Sequence, residues 1–146
     1  MTSDKLIEFA KRYAQAWCSH NPERVAAFFG VNASLKVNDD APAIGRKAIA
    51  EIARGFMRDF PDMIVMMDDL KIGGRSFLRQ AQDRLCDATF HWTLTGTNTG
   101  PGGTGKRVRI SGYELWKIDN DCLIAESKGH FDAADYERQL GKRSDD

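Results

Sequence analysis

The chain carries no excess of charge of either sign. Its 146 residues include 21 Lys and Arg against 21 Asp and Glu, a formal net charge of zero. That balance argues against a surface dedicated to nucleic acid or to an anionic membrane. Long hydrophobic runs are missing too, and none approaches the ~20 residues that cross a bilayer. Met1-Thr2-Ser3-Asp4-Lys5 is polar and shows no basic-then-apolar leader pattern. The expectation is a cytoplasmic protein with no membrane and no nucleic-acid partner, in which the sequon Asn32-Ala33-Ser34 has no use. Cysteine is scarce: Cys18, Cys86 and Cys122 are odd in number and form no C-x-x-C pair. No disulfide framework is expected, and reduced thiols used as small apolar residues fit best. His20, His91 and His130 are the three histidines, with neither H-x-H nor H-x-x-x-H spacing. His91, His130 and Asp132 have the right chemistry for a metal, but nothing in their spacing specifies one. No metal and no cofactor are expected.

One motif tempts and fails. Gly100-Pro101-Gly102-Gly103-Thr104-Gly105-Lys106 meets the G-x-x-x-x-G-K spacing, but Arg107 stands where a phosphate loop needs Ser or Thr. A strand pattern follows it rather than a helix, so it reads as a hairpin loop.

What is present is one domain spanning residues 1–146. Leu6, Phe9, Tyr13 and Trp17 recur at helical spacing and predict a first helix from about Asp4 to Cys18, capped by Ser3. Asn21-Pro22-Glu23 restarts a short helix carrying Val25, Phe28 and Phe29 and closed by Gly30. Residues 33–37 read as a strand and 38–42 as a loop. Ile49, Ile52, Ala53 and Phe56 form the stripe of a third helix over 46–59, preceded by Gly45 and ended by Pro61. Strands are expected at 63–72, 86–97, 106–119 and 123–131, with Gly73-Gly74 and Asn120-Asp121 as turns. A short helix follows over 132–140. Residues 76–85 have helical composition between strands and read as an inserted excursion; 141–146 reads as a frayed tail.

Long consecutive strands with few breaks imply a strongly curved antiparallel sheet packed on the N-terminal helices, an α+β fold. Such a sheet makes a wall for a small-molecule pocket. Phe90, Trp92 and Leu94 share one strand face, and Tyr113 and Leu115 oppose Glu114 and Trp116. Aromatic residues on both faces suggest that both are covered, one of them by a second copy of the chain. Glu126, Lys128, His130 and Asp132 alternate along the last strand, which leaves two readings, a solvated face or a polar pocket wall. A carboxylate at a pocket rim suits proton abstraction beside a carbonyl, and Asp132 is the candidate.

These residues carry a resemblance. The order of elements is similar to the cone-shaped nuclear transport factor 2-like (cystatin-like roll) fold. Gly96-Thr97-Asn98-Thr99-Gly100 resembles the G-T-x-T-G signature of SnoaL-like polyketide (ester) cyclases. Trp17, Gly45, Lys106, Ile118, Ile124-Ala125-Glu126, Asp132 and Gln139-Leu140-Gly141 match that pattern. The resemblance implies a cofactor-free enzyme of the aldol cyclase class in which Asp132 is the base of an intramolecular aldol closure. His130, His91 or Asn98 would orient the base or stabilise the oxyanion. Tyr13, Trp17, Phe28, Trp92, Tyr113, Trp116 and Lys128 are the expected pocket residues. Two departures stand out: Asn98 replaces a common His of the signature, and Lys128 replaces an aromatic four residues before the Asp. The expected partners are a small apolar or polyketide-like ligand and a second copy of the chain. The alternatives are a steroid-isomerase-like proton transfer on the same fold, or a non-catalytic ligand-binding or dimerisation module.

Overall fold

The computed structural model describes residues 2–73 and 87–141. Among the described residues there are four helices, α1 (Ser3–Cys18), α2 (Pro22–Ala26), α3 (Arg46–Asp59) and α4 (Ala133–Gln139). Six strands form one sheet: β1 (Phe29–Val37), β2 (Ala43–Ile44), β3 (Ile64–Ile72), β4 (Ala88–Thr97), β5 (Arg107–Ile118) and β6 (Ile124–Phe131). Their order across the sheet is β2-β1-β6-β5-β4-β3. All neighbours are antiparallel except β1 and β6, which run parallel. The predicted α+β architecture, a curved sheet packed against N-terminal helices, is what the chain adopts. The inserted excursion expected at 76–85, the Gly73-Gly74 turn beyond Gly73, Cys86 and the tail beyond Gly141 lie outside the described residues.

Each helix forms where its caps and apolar stripe direct. Thr2, one residue before the expected Ser3, caps α1 by accepting a hydrogen bond from the Lys5 backbone N–H. The hydroxyl at either position can do this, and the extended backbone of Thr2 decides between them. Asn21 caps α2 as expected, with Pro22 in the first turn. That helix ends at Ala26, however, and Phe29 and Gly30 already belong to β1. The strand residues Phe29 and Gly30 were assigned to the helix because Val25, Phe28 and Phe29 also fit a helical stripe. Leu6, Phe9, Tyr13 and Trp17 of α1 are all buried, as are Ile49, Ala53 and Met57 of α3.

The sheet's inner face carries the core. Phe90, Trp92 and Leu94 of β4 lie inward, in register with Glu114, Gly112 and Ile110 of β5. In turn Phe131, Gly129 and Ser127 of β6 pair with Gly112, Glu114 and Trp116. Phe90 stacks on Trp116 at 5.0 Å, and Tyr13 meets both rings edge-on at 5.2 Å. Such ring contacts add about 0.5–1.5 kcal/mol each beyond the area they bury.

The opposite face carries His91, Tyr113 and His130 in a row, with Lys128, Thr93 and Ser111 beside them. Glu126, Lys128 and His130 therefore occupy the outer face, and the pocket-wall reading of that alternation is corrected. The small residues of the other parity, Ser127 and Gly129, are the ones turned to the core.

A cleft closed on a buried carboxyl

Between the sheet and the helices lies a cavity of about 60 Å³, measured as space open to the centre of a water molecule. One water needs roughly 10–15 Å³ on that scale, so the space holds a small ligand fragment. Its walls are Leu35 and Val37 of β1, Val65 of β3, Phe90, Trp92 and Leu94 of β4, and Ile110 of β5. Trp17, Ile52 and Phe56 close it from α1 and α3, and Gly129 and Phe131 from β6. Glu114 is the single ionisable side chain among the described residues of this lining.

Glu114 sits on the inward parity of β5, where Ile110 and Trp116 are its buried neighbours, and it is 8% exposed. Its carboxyl is held by three donors. Tyr13 Oη donates to Oε1 at 3.0 Å and less closely to Oε2 at 3.3 Å. Trp116 Nε1 donates to Oε1 at 2.9 Å, and Ser127 Oγ to Oε1 at 2.8 Å. Burial pushes the Glu114 carboxyl above its ordinary value, against the pull of the three hydrogen bonds. Burial, and then the negative charge of Glu114, push the Tyr13 phenol well above its own. Because Oε1 already receives three donors, a proton on neutral Glu114 belongs on Oε2. The group is a buried carboxyl bordering an apolar cleft, with one oxygen held by three donors and the other by a single longer contact.

A pH dependence follows. A carboxyl whose folded-state value is raised binds more protons in the folded chain than in the unfolded one. Its contribution to stability is thus greatest at low pH and declines as pH rises from the ordinary carboxyl value through the raised one. Wild type relative to Glu114→Gln is expected to lose stability as pH rises above the ordinary carboxyl range, read from urea midpoints across a pH series. A pH-independent difference between the two proteins would remove the raised carboxyl.

The expected site residues distribute as follows. Trp17 and Trp92 line the cavity. Tyr13, Phe28 and Trp116 lie in the aromatic core behind Glu114, where Phe28 packs edge-on against Phe9 and Tyr13, rather than on the cavity wall. Tyr113 and Lys128 were expected in the pocket; both point to the outer face, since strand parity sets them opposite to Glu114 and Gly129. Asp132 was expected at the rim of the pocket, as its base. It is exposed at the end of β6, and its Oδ1 caps α4 by accepting from the Asp135 backbone N–H at 3.0 Å. It borders an open surface groove with Asn38, Ser111, Tyr113 and His130. His130 and His91 flank Tyr113 on the outer face, with ring centroids at 5.1 and 5.9 Å. His91 Nε2 is buried and has no hydrogen-bond partner among the described residues.

Asn98, the residue in the place of the signature's His, is buried but outside the cavity lining. Its Nδ2 donates to the Asp59 carbonyl at 3.1 Å, and its Oδ1 accepts from the Thr104 N–H at 2.8 Å. It ties the glycine-rich loop to the end of α3. Asp62 reinforces that tie by accepting from the Thr97 N–H and hydroxyl, and these bonds hold its carboxyl below the usual range. Among the described residues no group of three His, Cys, Asp or Glu could hold a metal ion. No helix among them is long and apolar enough to cross a membrane.

Sequence reasoning missed Glu114. The signal was available: on β5, Val108, Ile110, Trp116 and Ile118 share its parity, and a lone Glu in an apolar stripe is a buried charge that calls for partners or a function.

The family model described as SnoaL-like polyketide cyclase matches residues 7–140. Among curated proteins none matches the chain. Solved structures that do match include TsrD from Streptomyces laurentii, with TM-score 0.76 and 16% identity over 98% of this chain and 99% of that one. A hypothetical protein of ketosteroid isomerase-like fold from Catenulispora acidiphila, solved with trimethylamine, matches with TM-score 0.74 and 16% identity, over 94% of this chain and 95% of the other. The epoxide hydrolase/cyclase-like enzyme SalBIII, of pyran ring formation in the polyether salinomycin, matches with TM-score 0.71 and 16% identity, over 90% and 94%. At such identities these structures share the fold.

Proposed function

The chain belongs to the SnoaL-like polyketide cyclase family, and from that premise and the cleft we propose a cofactor-free, proton-transferring enzyme that acts on a small, largely apolar carbonyl compound, with Glu114 as its acid–base group. The observation that supports this reading is the placement of Glu114, a carboxyl in an apolar cavity with one oxygen saturated and the other lightly engaged. A cyclase needs a proton taken beside one carbonyl while the resulting carbon attacks another; an isomerase needs the same removal and a return elsewhere. One carboxyl of raised affinity for its proton serves either sequence. The cavity wall holds the substrate's apolar body and excludes water, which strengthens every interaction with Glu114.

Gly129 offers a direct test. A Cβ there would stand 3.4 Å from the Lys36 carbonyl and 3.7 Å from Glu114 Cγ, so the first carbon of a side chain is accommodated in ordinary contact. Gly129→Val directs two methyl groups beside Glu114. Thermal stability is expected to be retained, with turnover of poly-β-ketone esters and β,γ-unsaturated ketones falling at least ~10-fold as KM rises. Undiminished turnover in this variant, or no turnover of either substrate type by wild type, overturns the reading.

The proposal includes a homodimer. On the outer face Ile64, Met66 and Tyr113 are 52, 54 and 38% exposed, and Tyr113 stands at the centre of the sheet. A second copy against that face would cover them. Sedimentation equilibrium is expected to give twice the chain mass at micromolar concentration; a monomer there rejects this part.

A further inference from the structure

The cavity has a neighbour. An open cleft runs between α3, α4 and the β1–β2 connection, and four of its wall residues, Val37, Ile52, Phe56 and Phe131, also line the cavity. The cleft and the cavity thus lie against the same four side chains. Around it stand five carboxylates, Asp39, Asp40, Glu51, Asp59 and Glu137, and no Lys or Arg is part of its described lining. Glu51 pairs with Arg54 at 3.2 Å, and Asp59 lies 3.5 Å from Arg58. Asp39, Asp40 and Glu137 are exposed and are in no ion pair among the described residues. Below this rim, the one ionisable group of the cavity's described lining is again a carboxyl, Glu114.

We propose that this cleft is the mouth of the cavity, and that its rim selects a ligand with an apolar body and a protonated amine over an anionic one. The inference rests on the cavity being the ligand site, and it adds the charge class of the ligand. Carboxylates alone would attract any cation; the apolar chamber joined to them by four shared wall residues is what demands an apolar body. An anionic headgroup would meet uncompensated negative charge at the mouth and a second carboxyl inside. An ammonium group left at the mouth while the body enters the cavity keeps its water and gains the field of the rim. Because the three unpaired carboxylates are exposed, the preference is screened by salt and fades once the Debye length drops below their spacing from the ligand.

The test uses three probes with one apolar body: 3-phenylpropylamine, 3-phenylpropan-1-ol and 3-phenylpropionate, titrated calorimetrically at pH 7 in 20 and 300 mM salt. At 20 mM the amine is expected to bind at least ~10-fold more tightly than the carboxylate, with the alcohol between them, and the ratio to shrink about threefold or more at 300 mM. In a variant combining Asp39→Asn, Asp40→Asn and Glu137→Gln, whose fold is checked by its melting temperature, the three affinities are expected to converge. Glu114→Gln retains the preference, since the rim is intact. Equal affinities in wild type, tighter binding of the carboxylate, or a preference that survives the rim variant and vanishes in Glu114→Gln overturns the inference while leaving the cavity as the ligand site. Failure of the alcohol to bind wild type at all overturns both.

Discussion

Glu114→Gln is expected to slow turnover by about 10²–10⁴-fold with ligand affinity largely kept, whereas Asp132→Asn leaves kcat within about twofold. The Gln side chain preserves the shape of the floor. Its carbonyl oxygen can take the place of Oε1 and still accept from Tyr13, Trp116 and Ser127. What disappears is the oxygen that exchanges a proton. A residue that only anchored the core would change stability and KM; a proton carrier changes kcat, so the split between kcat and KM separates the two roles. Asp132 is exposed and already caps α4. Its carboxylate stands at the surface, outside the lining of the apolar cavity. Substituting Asn retains the cap, because Asn and Asp are equivalent caps. Should the loss appear in Asp132→Asn instead, the aldol base implied by the family resemblance is restored to that position and Glu114 becomes a core anchor.

The fold was legible because its periodicities are clean. The stripe of Phe9, Tyr13 and Trp17, the cap Asn21 with Pro22, Gly45 ahead of α3, and the long alternating strands each specify an element without help from distant residues. Two features were not legible. The strand β2 is two residues long, too short for a period to register. The parallel pairing of β1 with β6 joins segments some ninety residues apart, and no local pattern encodes it.

The site was legible in kind but not in detail. An apolar chamber under a curved sheet, walled by Trp17 and Trp92, follows from the face assignments. Where the carboxyl sits does not follow from the signature residues. The alternation Glu126, Lys128, His130 looked like a polar wall, yet Ser127 and Gly129 are the inward residues, too small and too weakly apolar to register as a core face. Asn98 was read as a pocket group from its place in the signature. Its amide is spent on two backbone groups that hold the loop, which no spacing rule reveals.

Gly112→Ala is expected to destabilise the fold by about 3 kcal/mol or more. Gly112 is the crossing point of the inner face, paired with Trp92 on one side and Phe131 on the other. A Cβ built there would lie 2.2 Å from the His130 carbonyl oxygen, 2.6 Å from Trp92 Cζ2 and 3.1 Å from Phe131 Cβ. The first of these is backbone and cannot swing away, so relief requires β5 and β6 to part. The missing side chain lets Trp92 lie across β5 and meet Phe131 edge-on at 6.0 Å, and both rings are cavity walls. Stability and site are therefore coupled at this residue. For a domain of this size about 3 kcal/mol corresponds to roughly 6–12 °C in melting temperature. The cavity should deform with it, so that affinity for an apolar probe falls even at temperatures where the variant remains folded. Gly55→Ala, at a helix position where a Cβ meets nothing within 4 Å, is the control and should be neutral or stabilising. A Gly112→Ala protein that melts with wild type would show that the sheet accommodates the methyl group, and that its curvature does not depend on this glycine.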